Sequence, residues 1–173
     1  QMCIRDSSIT AWVKLDTKPA SGWAMVASCT GFNMSSAGSN RWHLAYNAPP
    51  WGDQFAFYTT TGTTNDGIGS SPVFSNPSTG VWYFLYGYYD NSTGKIGISV
   101  NDGTIRTAST TGTPNGDTAS LCFTLGRWGP SGSFPYRLDG KIDEVGMWSR
   151  LLTTEEVSAL YNLGNGVTYS EIP

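Results

Sequence analysis

The stretch Leu138-Asp139-Gly140-Lys141-Ile142-Asp143-Glu144-Val145-Gly146-Met147-Trp148 runs directly into Ser149-Arg150-Leu151-Leu152-Thr153-Thr154-Glu155-Glu156-Val157. Gly140–Trp148 reads as a strand and the residues after it as a helix. Thr153 can accept a hydrogen bond from the first helical turn. Glu156, three residues on, completes a capping box. Val157, Leu160 and Tyr161 make an apolar stripe, and Gly164 is a fitting stop. The chain therefore ends on a strand followed by one short, capped helix.

Upstream of this block the pattern is strand after strand. Ser8–Leu15 places Ile9, Ala11, Val13 and Leu15 on one side and Trp12 on the other. Trp23–Cys29 follows a Pro-Ala-Ser-Gly turn. Arg41–Tyr46 sets Trp42, Leu44 and Tyr46 against Arg41, His43 and Ala45. Gln54–Thr59 follows the Pro49-Pro50 break. Val81–Asp90 is apolar on both faces, as expected of a central strand covered on both sides. Lys95–Asn101 alternates Ile96, Ile98 and Val100 with Gly97 and Ser99. Asn101-Asp102-Gly103 then supplies the positive φ of a tight hairpin. Ser120–Gly126 is a further strand, and Thr60–Gly80 reads as a long loop. Many short strands, turns rich in Gly and Asn, and one late helix predict an all-β fold: an antiparallel two-sheet sandwich.

Composition agrees. The chain has 173 residues, enough for one domain with a real core; 13% are aromatic, 13% are charged, and 21 are Gly. A net charge of -3 offers no basic stripe for nucleic acid or an anionic membrane. No apolar run is long enough to span a membrane. Three cysteines are too few for a disulfide scaffold and have no zinc spacing. Buried thiols are the default, and a Cys29–Cys122 bridge is the alternative. Gln1–Ser7 fits nothing that follows and resembles translated adapter sequence. Residues 1–7 are thus read as a non-native leader and 8–173 as the domain, with sequence expected to be missing upstream.

Three segments in order carry a family resemblance. Leu138–Val145, Trp148–Thr153, Glu155–Val157 and Leu160-Tyr161 together resemble the C-terminal signature of laminin-G-like (concanavalin A-like lectin/glucanase) domains. Ser8–Leu15 resembles the family's first core strand. Val81–Asp90 with Lys95–Gly103 resembles its central hairpin. The resemblance implies a jelly-roll sandwich that binds a ligand in a secreted, cell-surface or virion protein. Family members usually carry a strand before the Ser8–Leu15 segment. Its absence predicts an open sheet edge, available for self-association.

Glucanases of this fold class need paired carboxylates, yet no Glu precedes Glu144. Asp143 and Glu144, adjacent on a regular strand, are expected to point to opposite faces. Asp139 and Asp143 would lie ~13 Å apart along it. His43, the one histidine, reads as a solvent-facing or hydrogen-bonded strand residue and has no nucleophile elbow with it. A glycoside hydrolase is thereby disfavoured against a non-catalytic binding module, or against a structural spacer without its own ligand.

A sugar site combines an aromatic platform with polar side chains for the hydroxyls. Trp12, Trp42 and Trp82 fall in strand patterns and read as core, and Trp23 and Trp148 as packing residues. Trp51 and Trp128 lie in Gly- and Pro-flanked stretches that no strand period explains. They are the candidate ligand contacts, with Asp53, Gln54 and Arg127 as polar partners. The partner expected is a glycan or glycosylated surface. The resemblance also implies calcium, for which Asp139 and Asp143 are candidate ligands.

Overall fold

The computed structural model describes residues 6–31, 40–61, 64–114, 121–128 and 136–168. Ten strands are found among them: β1 (Ser7–Leu15), β2 (Trp23–Gly31), β3 (Asn40–Asn47), β4 (Gln54–Thr61), β5 (Thr64–Gly69), β6 (Trp82–Asp90), β7 (Lys95–Val100), β8 (Arg106–Ser109), β9 (Leu121–Leu125) and β10 (Gly140–Trp148). The helix α1 spans Thr154–Tyr161 and continues into a single 3-10 turn, Asn162–Gly164. The strands make two antiparallel five-stranded sheets. Sheet A has the order β10-β1-β6-β7-β8, and sheet B the order β5-β4-β3-β2-β9. This is the expected jelly-roll sandwich with one C-terminal helix.

The core lies between the sheets. Ile9, Ala11, Val13 and Leu15 from β1 and Leu85, Ile96 and Ile98 from β6 and β7 meet Val26, Leu44, Tyr46, Phe55 and Phe57 from sheet B. Strand alternation thus fixes both faces at once. Trp12, Phe84 and Tyr86, out of phase with the core residues, form a second cluster under α1 with Leu152, Val157 and Leu160. β6 is apolar on both faces because it is central in sheet A and covered on both sides.

The capping box closes as the sequence predicts. Glu156 N donates to Thr153 Oγ1 at 3.2 Å, and Thr153 N donates to Glu156 Oε2 at 2.9 Å. Arg150 clamps the same carboxylate from outside with two 2.6 Å hydrogen bonds. That guanidinium, chiefly, pulls the Glu156 carboxyl down to about 2. At the β7–β8 hairpin, Asn101 and Asp102 adopt φ of 52° and 56°.

Two readings of the sequence change. The span read as a loop contains β5, which pairs with β4 from Ala56↔Gly69 to Thr61↔Thr64. Its Thr, Asn and Gly residues gave no apolar alternation to reveal it. Trp82 is not core: it stands 37% exposed at the start of β6. Cys29 and Cys122 are free thiols, as the default reading has them, and each is half-buried. Cys29 stands opposite Phe123 and Cys122 opposite Thr30, so alternation sends the two side chains to opposite faces. β1 is flanked by β10 and β6, and among the described residues the edges are β10, β8, β5 and β9. No described helix is long and apolar enough to cross a membrane.

Candidate functional site

On sheet B the residues that alternate with the core face outward. Register aligns Thr124 (β9), Ser28 (β2), His43 (β3), Tyr58 (β4) and Gly67 (β5) in one row across the sheet. Gly67 is needed there because a Cβ would lie 2.1 Å from the Tyr58 ring, which rests over that position. The neighbouring outward positions hold Met25, Ala45 and Ala56, then Trp23, Asn47 and Gln54. Small residues in the middle leave room for side chains arriving from elsewhere.

Those side chains come from the segment after β9. Thr124 Oγ1 donates to the Arg127 carbonyl at 2.9 Å, and Ser28 Oγ reaches the same oxygen at 3.2 Å. Gly126 N donates to Val26 O, and Leu138 N to Gly126 O, both at 2.9 Å. This pinned turn brings Trp128 back over Met25 and Ala45, with Trp23 and Tyr136 packed beside it. Trp128 stacks on Trp23 at 5.8 Å, and Tyr136 meets Trp23 at 5.2 Å. His43 stacks on Tyr58 at 4.5 Å and meets Trp128 at 4.7 Å. Trp128 and His43 are buried in this group, whereas Trp23, Tyr58 and Tyr136 keep part of their rings exposed.

The polar atoms of the group are underused. Among the described residues, both His43 ring nitrogens, Trp23 Nε1 and Asn47 Oδ1 are buried without a hydrogen-bond partner. Asn47 Nδ2 does donate, to Tyr58 OH at 2.6 Å. Burial lowers the His43 pKa from 6.5 to about 3, so the ring is neutral near pH 7 and offers one donor and one acceptor. Each polar group left unpaired in the interior costs about 1–3 kcal/mol. A cluster of them calls for a physical reason. His43 is thus neither solvent-facing nor hydrogen-bonded, contrary to the sequence reading: its strand face is the outer one, but an aromatic cover lies over it.

The sequence-derived residues divide between this face and its rim. Trp128 lies in the aromatic group, and Arg127 supplies through its carbonyl the anchor of the turn. Gln54 is outward on β4 opposite Asn47, which is in turn opposite Trp23. Gln54 Nε2 donates to Trp51 O at 3.0 Å, and its Oε1 accepts from Ser71 N at 2.8 Å. Asp53 accepts from Tyr46 OH at 2.7 Å and from Lys18 Nζ at 2.9 Å, bracing the β3–β4 turn. Trp51 projects from that turn, 60% exposed. Trp23, His43, Asn47, Tyr58 and Tyr136 were not singled out as site residues. One signal was available: β2, β3 and β4 together contain a single charged residue, Arg41. An outward face with so little charge is a covered or binding face.

Asp139 and Asp143 lie on the other sheet. Asp139 Oδ2 accepts from Thr17 Oγ1 at 2.6 Å, and Asp143 Oδ1 from Glu144 N at 2.8 Å. Among the described residues no three His, Cys, Asp or Glu side chains converge as metal ligands. One expectation about this strand is overturned. Thr10 pairs with Gly146 but Trp12 with Asp143, so Glu144 and Val145 together oppose Ala11 in a β-bulge. Glu144 takes φ 45°. Asp143 and Glu144 consequently line the same cavities rather than opposite faces.

Two antiparallel five-stranded sheets packed face to face make a jelly-roll sandwich. The family described as the concanavalin A-like lectin/glucanases superfamily (laminin G type) matches residues 2–158. The chain belongs to that family. No curated protein matches it in sequence. Among solved structures it is similar to a heptameric SAP-like pentraxin from Limulus polyphemus, with TM-score 0.68, 17% identity, and coverage of 95% of this chain and 72% of that one. It is also similar to the CBM40 of a Ruminococcus gnavus IT-sialidase bound to α2,3-sialyllactose, with TM-score 0.69, 15% identity, and coverage of 90% and 82%. A third is a leech intramolecular trans-sialidase, with TM-score 0.68 and 16% identity; 96% of this chain covers 24% of that one. At these identities the likeness establishes the fold, while the ligands named belong to those proteins.

Proposed function

We propose that this chain is a non-catalytic carbohydrate-binding module of a larger secreted, cell-surface or virion protein, and that sugar docks on the outer face of sheet B. The observation that carries the reading is the aromatic group over a floor of unpaired polar atoms. The partly exposed rings of Trp23, Tyr58 and Tyr136 match the C–H face of a pyranose. Beneath them His43, Asn47 Oδ1 and Trp23 Nε1 keep unused hydrogen-bonding capacity that a sugar hydroxyl, which both donates and accepts, would meet once the aromatic cover shifts. Trp51, Gln54 and Arg127 border this face and would contact longer glycans, whereas Asp53 is held by Tyr46 OH and Lys18. Asp139 and Asp143 lie on sheet A, so binding here needs no calcium from them.

The test is a glycan array of neutral and sialylated oligosaccharides, followed by calorimetry on the best ligand. Tyr136→Ala and Trp23→Ala are expected to weaken binding at least tenfold, and EDTA to leave it unchanged. Release of reducing sugar from a bound glycan would replace the module with an enzyme. An assembly reading has one observation in its favour: Phe123 and Leu125 are each 44% exposed on the edge strand β9. Absence of glycan binding together with concentration-dependent dimerisation would favour that reading.

A further inference from the structure

The bulge in β10 builds a second site on the opposite sheet. Alternation on sheet A sends Trp12, Lys14, Trp82, Lys141 and Asp143 outward, with Trp12 opposite Asp143 and Lys14 opposite both Trp82 and Lys141. The chain after α1 passes over them. Glu144 holds it there: its Oε2 accepts from Val167 N at 3.0 Å. The fit is close, since a Cβ on Gly166 would lie 2.6 Å from that carboxylate. Asn162 Nδ2 donates to Gly166 O at 2.8 Å and closes the turn.

Two adjoining cavities remain beneath and beside this strap. One, of about 220 Å³, is lined by Trp12, Trp82, Asp143, Glu144, Gly164 and Asn165. The other, of about 300 Å³, continues past Asp143 and Glu144 to Thr10, Trp148 and Thr168. The larger alone reaches the ~300 Å³ at which small-molecule sites begin. Trp12 forms the inner wall, 7% exposed, and its indole N–H has no hydrogen-bond partner. Trp82 presents an exposed indole at the mouth.

We propose that this cavity pair is a second binding site, for a neutral sugar ring carrying free hydroxyls. The walls supply what such a ring uses: the Trp82 indole for its apolar face, and the Asp143 carboxylate and Asn165 amide for hydroxyls. Charge decides against a bare cation. Lys14 stands 5.6 Å over the Trp82 ring, with Lys141 beside it in register, so two ammonium groups offset the two carboxylates. Glu144 is already committed to Val167 N. A ligand on this face leaves the outer face of sheet B free, and the site does not depend on sugar binding there.

The experiment is a two-dimensional amide and indole N–H NMR titration of the full chain. The probes are the methyl glycosides of glucose, galactose, mannose and N-acetylglucosamine, and separately calcium chloride. At least one glycoside is expected to shift the Trp12 and Trp82 indole signals and the Asn165 side-chain amide in a saturable way. Asp143→Asn and Trp82→Ala are each expected to raise the apparent Kd of that response at least tenfold, with the Trp23 and Trp128 signals unmoved as proof of folding. Movement of Trp23 and Trp128 alone would support the sheet B site and overturn this one. Saturable shifts of the Asp143 region with calcium, and none with the glycosides, would overturn it as well. So would a glycoside response indifferent to both variants. Should either variant fail to fold, the wild-type titration decides.

Discussion

The two outer faces of the sandwich are both covered, and the covers are built on different terms. Over sheet A, α1 sets Val157 and Leu160 on Trp12, Phe84 and Tyr86. Its own polar ends are satisfied by the capping box and the Arg150 clamp. Over sheet B, the turn after β9 lays Trp128 and Tyr136 on Trp23, yet leaves His43 and Asn47 with unused hydrogen-bonding atoms. The first cover spends its surface on stability. The second keeps unpaired groups that cost stability, which is the usual mark of a face shaped for something other than folding.

The largest effect expected from breaking this contrast is on the helix side. Phe84 is 1% exposed between β1 and α1. Phe84→Ala should cost about 3–5 kcal/mol, the ordinary range for emptying a large aromatic from a core. Urea denaturation would measure it. The glycan affinity of the sheet B face should not change in the molecules that remain folded, because that face lies across the core, whereas Phe84 lines the larger cavity under the strap.

The next effect runs the opposite way and comes from sheet B. His43→Phe keeps the stack on Tyr58 and removes two unpaired nitrogens, so it should stabilise the fold by about 1–3 kcal/mol near pH 7 while weakening glycan binding. Acid sharpens the point. The folded protein holds His43 at about 3, against an ordinary 6.5. The unfolded chain therefore binds the extra proton between these values. Stability is full above about pH 6.5 and is lost as pH falls toward 3, by up to ~1.4 kcal/mol per pH unit. His43 is the one histidine, so the slope between pH 5 and 6.5 should vanish in His43→Phe. The helix side has a separate and lower window. Glu156 is held at about 2 by Arg150, against 4.5, so its contribution is present above pH 4.5 and is lost on descent toward 2. A single acid window for both variants would show that the two covers are not independent.

Legibility in the sequence follows the same division. The start and apolar face of the helix cover could be read, because a capping box and an apolar stripe are local patterns that the structure reproduces at Thr153, Glu156, Val157 and Leu160; its stop comes instead at Asn162, in the left-handed conformation. The core strands were readable by alternation, whereas β5 was not, since Thr64–Gly69 has no apolar period. The sheet B cover depends on contacts between distant segments. Trp23 and Trp128 are 105 positions apart in sequence and stack only because Ser28 and Thr124 pin the turn between them. Trp128 could be suspected from its Gly-rich setting, but His43 could not, for nothing local says that an outward strand residue will be roofed over. The bulge at Glu144 was hidden for a similar reason: the extra residue appears only when β10 is set against β1. A regular-strand reading of Asp143 and Glu144 therefore placed them on opposite faces, and the shared cavity was lost with it.

The smallest effect tests whether the helix cover acts only on stability. Thr153→Ala removes the side chain that accepts from Glu156 N and leaves the first turn of α1 one acceptor short. Loss of such a cap costs about 1 kcal/mol. Because α1 packs on Trp12 and Phe84, the loss should appear as faster amide exchange along Thr154–Tyr161, with the protection of β2, β3 and β4 unchanged. Glycan affinity on sheet B should remain at the wild-type value. Any binding to the cavities under the strap after α1 should fall by no more than the fraction of molecules in which the helix has opened. A Thr153→Ala protein that lost sheet B affinity would mean that the core transmits the state of one cover to the other, and the two faces would have to be treated as one coupled system.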